Sequence, residues 1–258
     1  MKVLTWNING YRAALRRNSI KILFDMDLDI ICFQEIKISD LNQIKGTVPE
    51  EYHVYINMAE NKGKNGVAIL TRQMPTLFYT EIGCERFDHE GRMIRLDYGN
   101  KLSIVNLYMP HGGRDKSCYS YKLEVGSKII DYISKIESDN ILIAADFNVA
   151  HKDIDVERYK SNRNNTMFTL DEKKIIDQLL EKGFIDSFRA LHNQERRYSW
   201  WPYSFNARER NLGWRIDYIF ASQSLKNEIV SVDLLNNIYG SDHCPVLLEI
   251  KSNYSIYC

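Results

Sequence analysis

The chain has 258 residues, 44% hydrophobic and 12% aromatic, enough apolar material for a well-buried core in one large or two ordinary domains. Its 34 basic and 34 acidic residues cancel, so no global positive field announces a nucleic-acid partner. An enzyme acting on a polyanion would need a local basic rim around its site.

Five cysteines, at positions 32, 84, 118, 244 and 258, share no C-x-x-C spacing, which argues against a zinc site or a disulfide framework. Cys32 and Cys244 sit among apolar residues and read as small buried hydrophobes, so a reducing compartment is expected. The N-terminus enters a strand-like pattern at once, so no signal peptide fits. No apolar run approaches the roughly 20 residues of a membrane span. The expectation is a soluble protein without a membrane partner, cytoplasmic and nucleoid-associated in a prokaryote or nuclear in a eukaryote.

In chain order, apolar and β-branched runs predict strands near 2–6, 28–34, 66–72, 76–80, 92–98, 101–109, 140–146, 214–221 and 245–251. Helical periodicity predicts helices near 11–25, 118–137 and 169–182. The last opens on Thr169-Leu170-Asp171-Glu172, a capping box, and Gly183 stands at its C′ position. No Pro/Ser/Gly-rich linker divides the chain, so one continuous domain over 1–258 is expected.

One internal echo matters. Val3–Asn9 and Ile143–Asn148 are both apolar strands that end in an alternating polar pair. Alternation places such a pair on one face of a strand end. Two such ends could meet in a cleft between two sheets, which predicts an α/β sandwich of two packed sheets with helices outside, built from two related halves.

Several polar residues stand where strands end, the usual place for sites. Glu35 follows the apolar run Asp29–Phe33; read alone, it is an ordinary solvated carboxylate. Asp146 ends the most apolar strand of the chain, where a turn-forming role competes with a functional one. Asp217 lies among Ile216, Tyr218 and Ile219, with no propensity reason to be there. Asp242-His243 precedes the last strand and offers Asp217 a basic partner. Four carboxylates, one histidine and the strand-end asparagines suit magnesium or manganese better than zinc, and the fitting chemistry is metal-assisted attack of water on a phosphodiester.

At these residues a resemblance becomes specific. Thr5–Ala13, Gln34–Lys37, Asp88–Arg92, Asn106–Pro110, Asp146–Asn148, Asn206–Tyr218 and Gly240–Pro245 resemble the exonuclease III type of abasic-site endonuclease, within the endonuclease/exonuclease/phosphatase superfamily. The motifs occur in the family's order over nearly the whole chain. Ser241-Asp242-His243 recurs across the superfamily, whereas Asn206–Tyr218 is more specific to the abasic-site branch.

The resemblance implies a DNase I-like, four-layer α/β sandwich with two mixed β-sheets flanked by helices. It implies Glu35 as a metal ligand with Asp242 nearby, and Asn7 and Asn9 lining the same pocket around Mg2+, for which Mn2+ could substitute. His243, held by Asp217, would stabilise charge on the scissile phosphate. Asp146, with Asn148 beside it, would orient or deprotonate the attacking water, and Tyr108 would donate to a phosphate or leaving oxygen. Trp200, Trp214 and Ile216 match a pocket for a flipped, base-free sugar; without the resemblance, core packing is the simpler reading of Trp214. Asn162 and Asn165 match phosphate-contacting asparagines, and Arg114 an arginine that enters the DNA groove. Arg12, Lys62, Lys64, Arg158, Arg163 and Arg208 are candidate rim cations. The implied partner is double-stranded DNA with abasic sites or blocked 3′ ends, bound by a monomer with no obligate protein partner.

Three positions depart from the pattern. Asn9 stands where some members carry Asp, and His111 where Asn or Gln is usual. Ser204 replaces a residue that wedges into the duplex in some relatives, leaving Phe205 to serve instead. The N-terminal extension that houses accessory functions in some relatives is not expected. Competing readings are nicking beside uracil or damaged bases, a non-specific DNase or inositol-phosphate or sphingolipid phosphatase of the same superfamily, and a catalytically dead nucleic-acid-binding relative. Glu35, Asp146, Asp217 and His243 are all present, which argues against the last.

Overall fold

The structure, a computed structural model, describes residues 1–251. Twelve strands run in chain order: β1 (Lys2–Asn7), β2 (Ile30–Gln34), β3 (His53–Asn57), β4 (Val67–Thr71), β5 (Leu77–Tyr79), β6 (Met93–Tyr98), β7 (Leu102–Tyr108), β8 (Ile141–Asp146), β9 (Phe184–Asp186), β10 (Asp217–Ser222), β11 (Ile229–Leu234) and β12 (Val246–Ile250). The helices are α1 (Tyr11–Arg16), α2 (Lys21–Phe24), α3 (Asn42–Lys45), α4 (Glu85–His89), α5 (Tyr119–Ile133), α6 (Tyr159–Asn162), α7 (Leu170–Glu181) and α8 (Ser187–Leu191).

The strands form two six-stranded mixed sheets, ordered β11-β12-β1-β2-β4-β3 and β5-β6-β7-β8-β10-β9. Each has one parallel pair, β1–β2 in the first and β7–β8 in the second, flanked by antiparallel partners. Each parallel pair is joined by a helical crossover, as parallel neighbours require: α1 and α2 in the first sheet, α5 in the second. The related halves expected from the internal echo therefore share a local topology.

Alternation sorts the strand residues into three apolar layers. Val3, Ile30 and Cys32 meet Ile104, Leu142, Ala144 and Ile219 between the sheets. Leu4, Trp6, Ile31 and Phe33 face outward under Tyr11, Ala14 and Leu23. Ile143, Ala145, Tyr218 and Phe220 face outward under Val125, Ile129, Ile175 and Leu179. Period-2 geometry continued from these residues turns Asn7, Gln34, Asn106, Tyr108, Asp146 and Asp217 to the inner faces. The site is thus built from the polar ends of strands whose bodies form the core.

The polar inner residues pair across the sheets. Gln34 Nε2 donates to Thr5 Oγ1 (2.8 Å) and Asn106 Oδ1 (2.7 Å), while Asn106 Nδ2 donates to the carbonyls of Phe33 (3.0 Å) and Ala68 (2.8 Å). These bonds fix the relation of one sheet to the other, and of the two amides only Gln34 Oε1 is buried without a partner among the described residues.

Several elements differ from the sequence expectation. The helix expected near 11–25 is two short helices separated by turns, with Asn18 in the left-handed region (φ 57°). Strand character near 214 is limited to single bridges of Trp214 to Val156 and Trp200, and β10 begins at Asp217, so Asp217 opens a strand instead of interrupting one. β3, β9 and β11, which the sequence reading did not place, are short or lie at sheet edges. The expected cap is present: Thr169 Oγ1 accepts from the Glu172 amide, and Glu172 Oε2 accepts from the Thr169 amide. Gly183 follows with φ +88°, which a glycine adopts without steric cost. No helix among the described residues is long and apolar enough to cross a membrane. Cys32 and Cys244 are fully buried free thiols whose pKa values burial raises.

Candidate active site

The echoed strand ends meet. Asn7, at the end of β1 in one sheet, donates from Nδ2 to Asp146 Oδ2 at the end of β8 in the other, at 2.8 Å. The same Nδ2 donates to Glu35 Oε1 (2.8 Å). Asn7 Oδ1 accepts from the Asn9 amide (3.0 Å), and Asn9 Nδ2 donates to Asp242 Oδ1 (2.9 Å). Two asparagines thus connect three carboxylates. Their neutral amides hold the anions close without cancelling the charge that a cation would need.

Glu35 is not a solvated carboxylate. Its backbone is left-handed (φ 51°), a conformation that costs a non-glycine residue about 1 kcal/mol, and its side chain is only 17% exposed. Oε1 accepts from Asn7 and from the Tyr108 hydroxyl (2.8 Å), and Oε2 meets Lys37 Nζ at 2.6 Å. Burial alone would raise its pKa, but Lys37, Asn7 and Tyr108 together hold it below the usual value. Tyr108 stays a protonated donor, because burial and the Glu35 charge raise its pKa well above 10.0. Arg92 lies 4.5 Å from the Tyr108 ring and fixes it from behind.

Lys37, which sequence reasoning missed as a site residue, bridges Glu35 Oε2 and Asn9 Oδ1 (2.6 Å). The only signal was its place two residues after Glu35. Its ammonium marks a position where positive charge is favoured between two oxygen donors. Glu35, Asn9, Asn7 and Asp242 offer oxygen alone, so the donor chemistry fits a hard divalent cation.

A second group of ionisable atoms lies beside it. Asp146, Asp217 and His243 each bring a ligand-type atom within 4.8 Å of the others. This is an acid–base cluster, because His243 Nδ1 is already bound to Asp217 Oδ2 (2.9 Å) and Oδ1 (3.1 Å). Burial would lower the His243 pKa, yet Asp217, then Asp146 and Asp242, raise it to about 10, so the ring is a cation at neutral pH. A protonated imidazole cannot ligate a metal; it can stabilise developing negative charge. Nδ1 being taken by Asp217, Nε2 is the free donor, without a partner among the described residues.

Asp217 and Asp146 are directly opposed in the β10–β8 register. Desolvation and the Asp217 charge raise Asp146 to a pKa of about 7, against the opposing influence of His243, Asn7 and the Asn148 amide. A carboxylate poised there suits a general base at neutral pH. The Asn148 amide donates to Asp146 Oδ1 (2.9 Å) from a left-handed turn (φ 50°), which the Asn148 side chain locks by donating to the Met109 carbonyl (2.9 Å). Asp242 has its pKa lowered: burial opposes, but His243, Asn9 and Trp200 outweigh it.

Beside this centre stand the aromatic residues. Trp200 Nε1 donates to Asp242 Oδ2 (3.1 Å), and its ring lies 6.4 Å from His243 and 6.3 Å from Trp214. Trp214 packs edge-on against Phe168 (6.0 Å), a wall residue that sequence reading missed because it precedes the α7 cap with no motif of its own. Trp200 and Trp214 are half-buried and Ile216 is buried on Phe168, Met167 and Val156. Arg215, between Trp214 and Ile216, points away into a buried ion network with Asp155 (2.8 Å), Asp186 (2.7 Å) and, through Asp155, Arg189. Burial opposes ionisation of Asp155, yet Arg215 and Arg189 hold its pKa at about 2. Ser199 Oγ accepts from the Ile216 and Asp217 amides (3.0 and 3.1 Å), tying the aromatic wall to the acid–base cluster. Gly213 admits no side chain here, since a Cβ would lie 2.4 Å from Trp201 Nε1.

The remaining expected residues scatter around the rim. Arg114 and Arg12 are exposed without an ion-pair partner among the described residues. Asn165 Nδ2 donates to Asn162 Oδ1 (2.8 Å), while Asn162 caps the carbonyls of Glu157 and Arg158 (3.2 and 3.1 Å). Phe205 is 83% exposed in a left-handed conformation (φ 62°). One expected rim cation is corrected. The Arg208 guanidinium donates to the carbonyls of Ser241, Asn236 and Ile238 and lies between Trp201 and Tyr239, so it braces the 236–241 loop instead of facing solvent as a free charge.

This geometry, a carboxylate–asparagine cage beside an Asp–His pair, is that of a phosphodiesterase of one large family. Residues 4–243 match the endonuclease/exonuclease/phosphatase family, and the chain belongs to it. An exodeoxyribonuclease from Bacillus subtilis is 41% identical over 97% of this chain and all of its own length. A Dictyostelium discoideum DNA-(apurinic or apyrimidinic site) endonuclease is 33% identical over 98% of this chain and 71% of its own. The solved AP endonuclease from Archaeoglobus fulgidus superposes with a TM-score of 0.85 and 30% identity, covering 97% of this chain and 99% of that one. The two-sheet sandwich expected from the sequence is the fold they share.

Proposed function

We propose that this chain is a DNA repair nuclease that hydrolyses the backbone on the 5′ side of abasic sites in duplex DNA, with magnesium as its cofactor. The observation that carries the reading is the junction of two devices in one cleft: Trp200 is bonded to Asp242, and Ser199 ties the Trp214–Ile216 wall to Asp217. A reacting phosphate beside His243 would thus have the sugar next to it against Trp200 and Trp214. A base-free sugar fits such a recess, whereas an intact nucleotide must first unstack and then clash with the rings.

In this reading Glu35 and Asp242, with Asn7 and Asn9 lining the pocket, hold the metal, which supplies charge neutralisation at the phosphate. Asp146 accepts the proton of the attacking water and is held for it by Asn7 and by the Asn148 amide. His243 Nε2 donates to a phosphate oxygen, and Asp217 keeps the ring charged and oriented. Tyr108 donates to the phosphate or leaving oxygen from the Glu35 side. Arg114, Arg12, Asn162 and Asn165 meet the backbone, and Phe205 the duplex beside the lesion. Removal of nucleotides or blocking groups from 3′ ends by the same centre is a second activity, favoured by the similarity to a bacterial exodeoxyribonuclease.

The test is a nicking assay on duplexes carrying one abasic site, one uracil or a blocked 3′ end, with magnesium and with chelator. Cleavage of the abasic strand far above the intact strand, abolished by chelator, is expected. Equal cleavage of all duplexes would make the chain a general nuclease and refute the lesion assignment.

A further inference from the structure

Behind the second sheet lies an ion pair that the chemistry above does not use. Lys122 of α5 and Glu172 of α7 have side chains fully withdrawn from water, with Nζ and Oε1 2.6 Å apart. A pair so buried gains little over apolar residues of the same size, because desolving two charges offsets their attraction. Stability alone is therefore a weak reason for it, and its remaining bonds point elsewhere.

Lys122 Nζ also donates to the carbonyl of Asn148, at 2.6 Å. Asn148 is the left-handed residue whose amide holds Asp146 Oδ1 and whose side chain holds the Met109 carbonyl. Its carbonyl is met by the Lys122 ammonium. Glu172, in turn, accepts from the Met167 amide (2.9 Å) and from the Thr169 amide and hydroxyl (3.1 and 2.8 Å). Those bonds fix the segment that carries Phe168 into the Trp214 wall. Thr166, one residue earlier, donates to the Gly113 carbonyl (2.7 Å), next to Arg114. One buried pair thus stands behind the turn of the general base, the aromatic wall and the loop that bears the groove-facing arginine.

We infer that Lys122 is a positioning residue for the hydrolytic step: its ammonium fixes the Asn148 carbonyl and thereby the direction in which Asp146 addresses the attacking water. Lys122 touches no reacting atom. The inference rests on the proposed roles of Asp146 and Asn148, and a misdirection of a base by a fraction of an ångström is expected in the turnover of bound substrate rather than in its affinity.

Two variants separate this from a packing role. Glu172→Gln keeps an oxygen acceptor for Lys122 and removes only its counter-charge, and an amine that gives up its proton there still donates to the Asn148 carbonyl. Lys122→Met/Glu172→Gln removes that bond without stranding a buried carboxylate. Single-turnover and steady-state kinetics are measured on an abasic duplex and on a 3′-recessed intact duplex, with thermal melting alongside. The expected result is a double variant that folds, with kcat lower than in Glu172→Gln by about tenfold or more on both substrates and KM within about twofold. An unchanged kcat, a loss confined to KM, or a double variant that fails to fold while Glu172→Gln folds would overturn the inference. Failure of the lesion assignment looks different: the wild-type protein would nick an intact duplex internally as fast as it nicks the abasic one, whatever the variants do.

Discussion

Asp217→Asn is the substitution whose consequences can be followed furthest. It keeps the shape of the residue and removes the charge that is the principal support of the His243 cation. Asp217 sits 2.9 Å from His243 Nδ1, and both residues are buried. The His243 pKa of about 10, against the ordinary 6.5, corresponds to several kcal/mol in favour of the charged ring, at about 1.4 kcal/mol per pKa unit. Without Asp217 desolvation is opposed only by Asp146 and Asp242, so the variant ring should lose its proton at a lower pH than the wild-type ring. Above that pH the phosphate charge would face a neutral donor, and kcat should fall by about 10²-fold or more. The linkage has a definite sign. A histidine whose folded pKa is raised stabilises the fold fully below its unfolded pKa near 6.5 and loses that contribution as pH rises through about 10. The stability difference between wild type and Asp217→Asn should accordingly be largest below pH 6.5 and shrink towards pH 10. Nitrogen-15 imidazole shifts of His243 across pH 5–11, with denaturant melts at matched pH, test both statements. A wild-type ring that titrates near 6.5, or a variant that keeps wild-type kcat, would refute the reasoning.

Wild-type kcat/KM should rise with pH through about 7 as Asp146 ionises and fall near 10 as His243 deprotonates; a profile flat between pH 5 and 8 counts against Asp146 as the base. Chelation should abolish cleavage and magnesium or manganese restore it, and Glu35→Ala should fold yet need far more metal for half-maximal rate in a metal titration. Trp214→Ala should lower the ratio of kcat/KM on abasic over intact duplexes, because the sugar loses a wall; a ratio that stays high would place lesion reading in the Arg114 or Phe205 segments instead. Arg114→Ala should reduce the salt slope of DNA binding by about one unit, whereas Arg208→Ala should leave that slope unchanged and lower the melting temperature, since its guanidinium is engaged with three carbonyls.

The polar strand ends were the most legible part of the sequence. Asn7 and Asp146 could be placed on a common inner face because a two-residue period carries unbroken from the apolar core to the strand tip. Asp217 needed a partner and His243 lacked one, so chemistry alone suggested the pair. The roles beyond that point, and the meaning of Trp200 and Trp214, came from resemblance, because an aromatic residue in a wall and one in a core have the same periodicity. What stayed hidden depends on tertiary proximity. Lys37 closes the Gln34–Lys37 motif but has the pattern of a surface lysine, and only tertiary proximity shows that it compensates Glu35. Arg208 looks like a rim cation until its three carbonyl partners are in place. Lys122 and Glu172 sit on ordinary amphipathic helices, and nothing in either helix says that their charges meet in the dark behind Asn148. β3 and β9 escaped notice because short or edge strands are selected by their neighbours more than by their own pattern, whereas β11 carries a readable alternation in Val230–Leu234 that sequence reasoning missed.

The first sheet is closed by the two ends of the chain: β1 pairs with β12, and β11 stands beyond it. Lys2 lies opposite Glu249, and Asp242 and His243 arrive only with the approach to this last strand. Such contacts, nearly the whole chain apart in sequence, are among the last that a growing or refolding polypeptide can make. A nascent chain that has formed the entire second sheet, complete with Asp146 and Asp217, still lacks Asp242 and His243. The cluster of Asp146, Asp217 and His243 is therefore completed only when the segment leading into β12 returns to pair with β1.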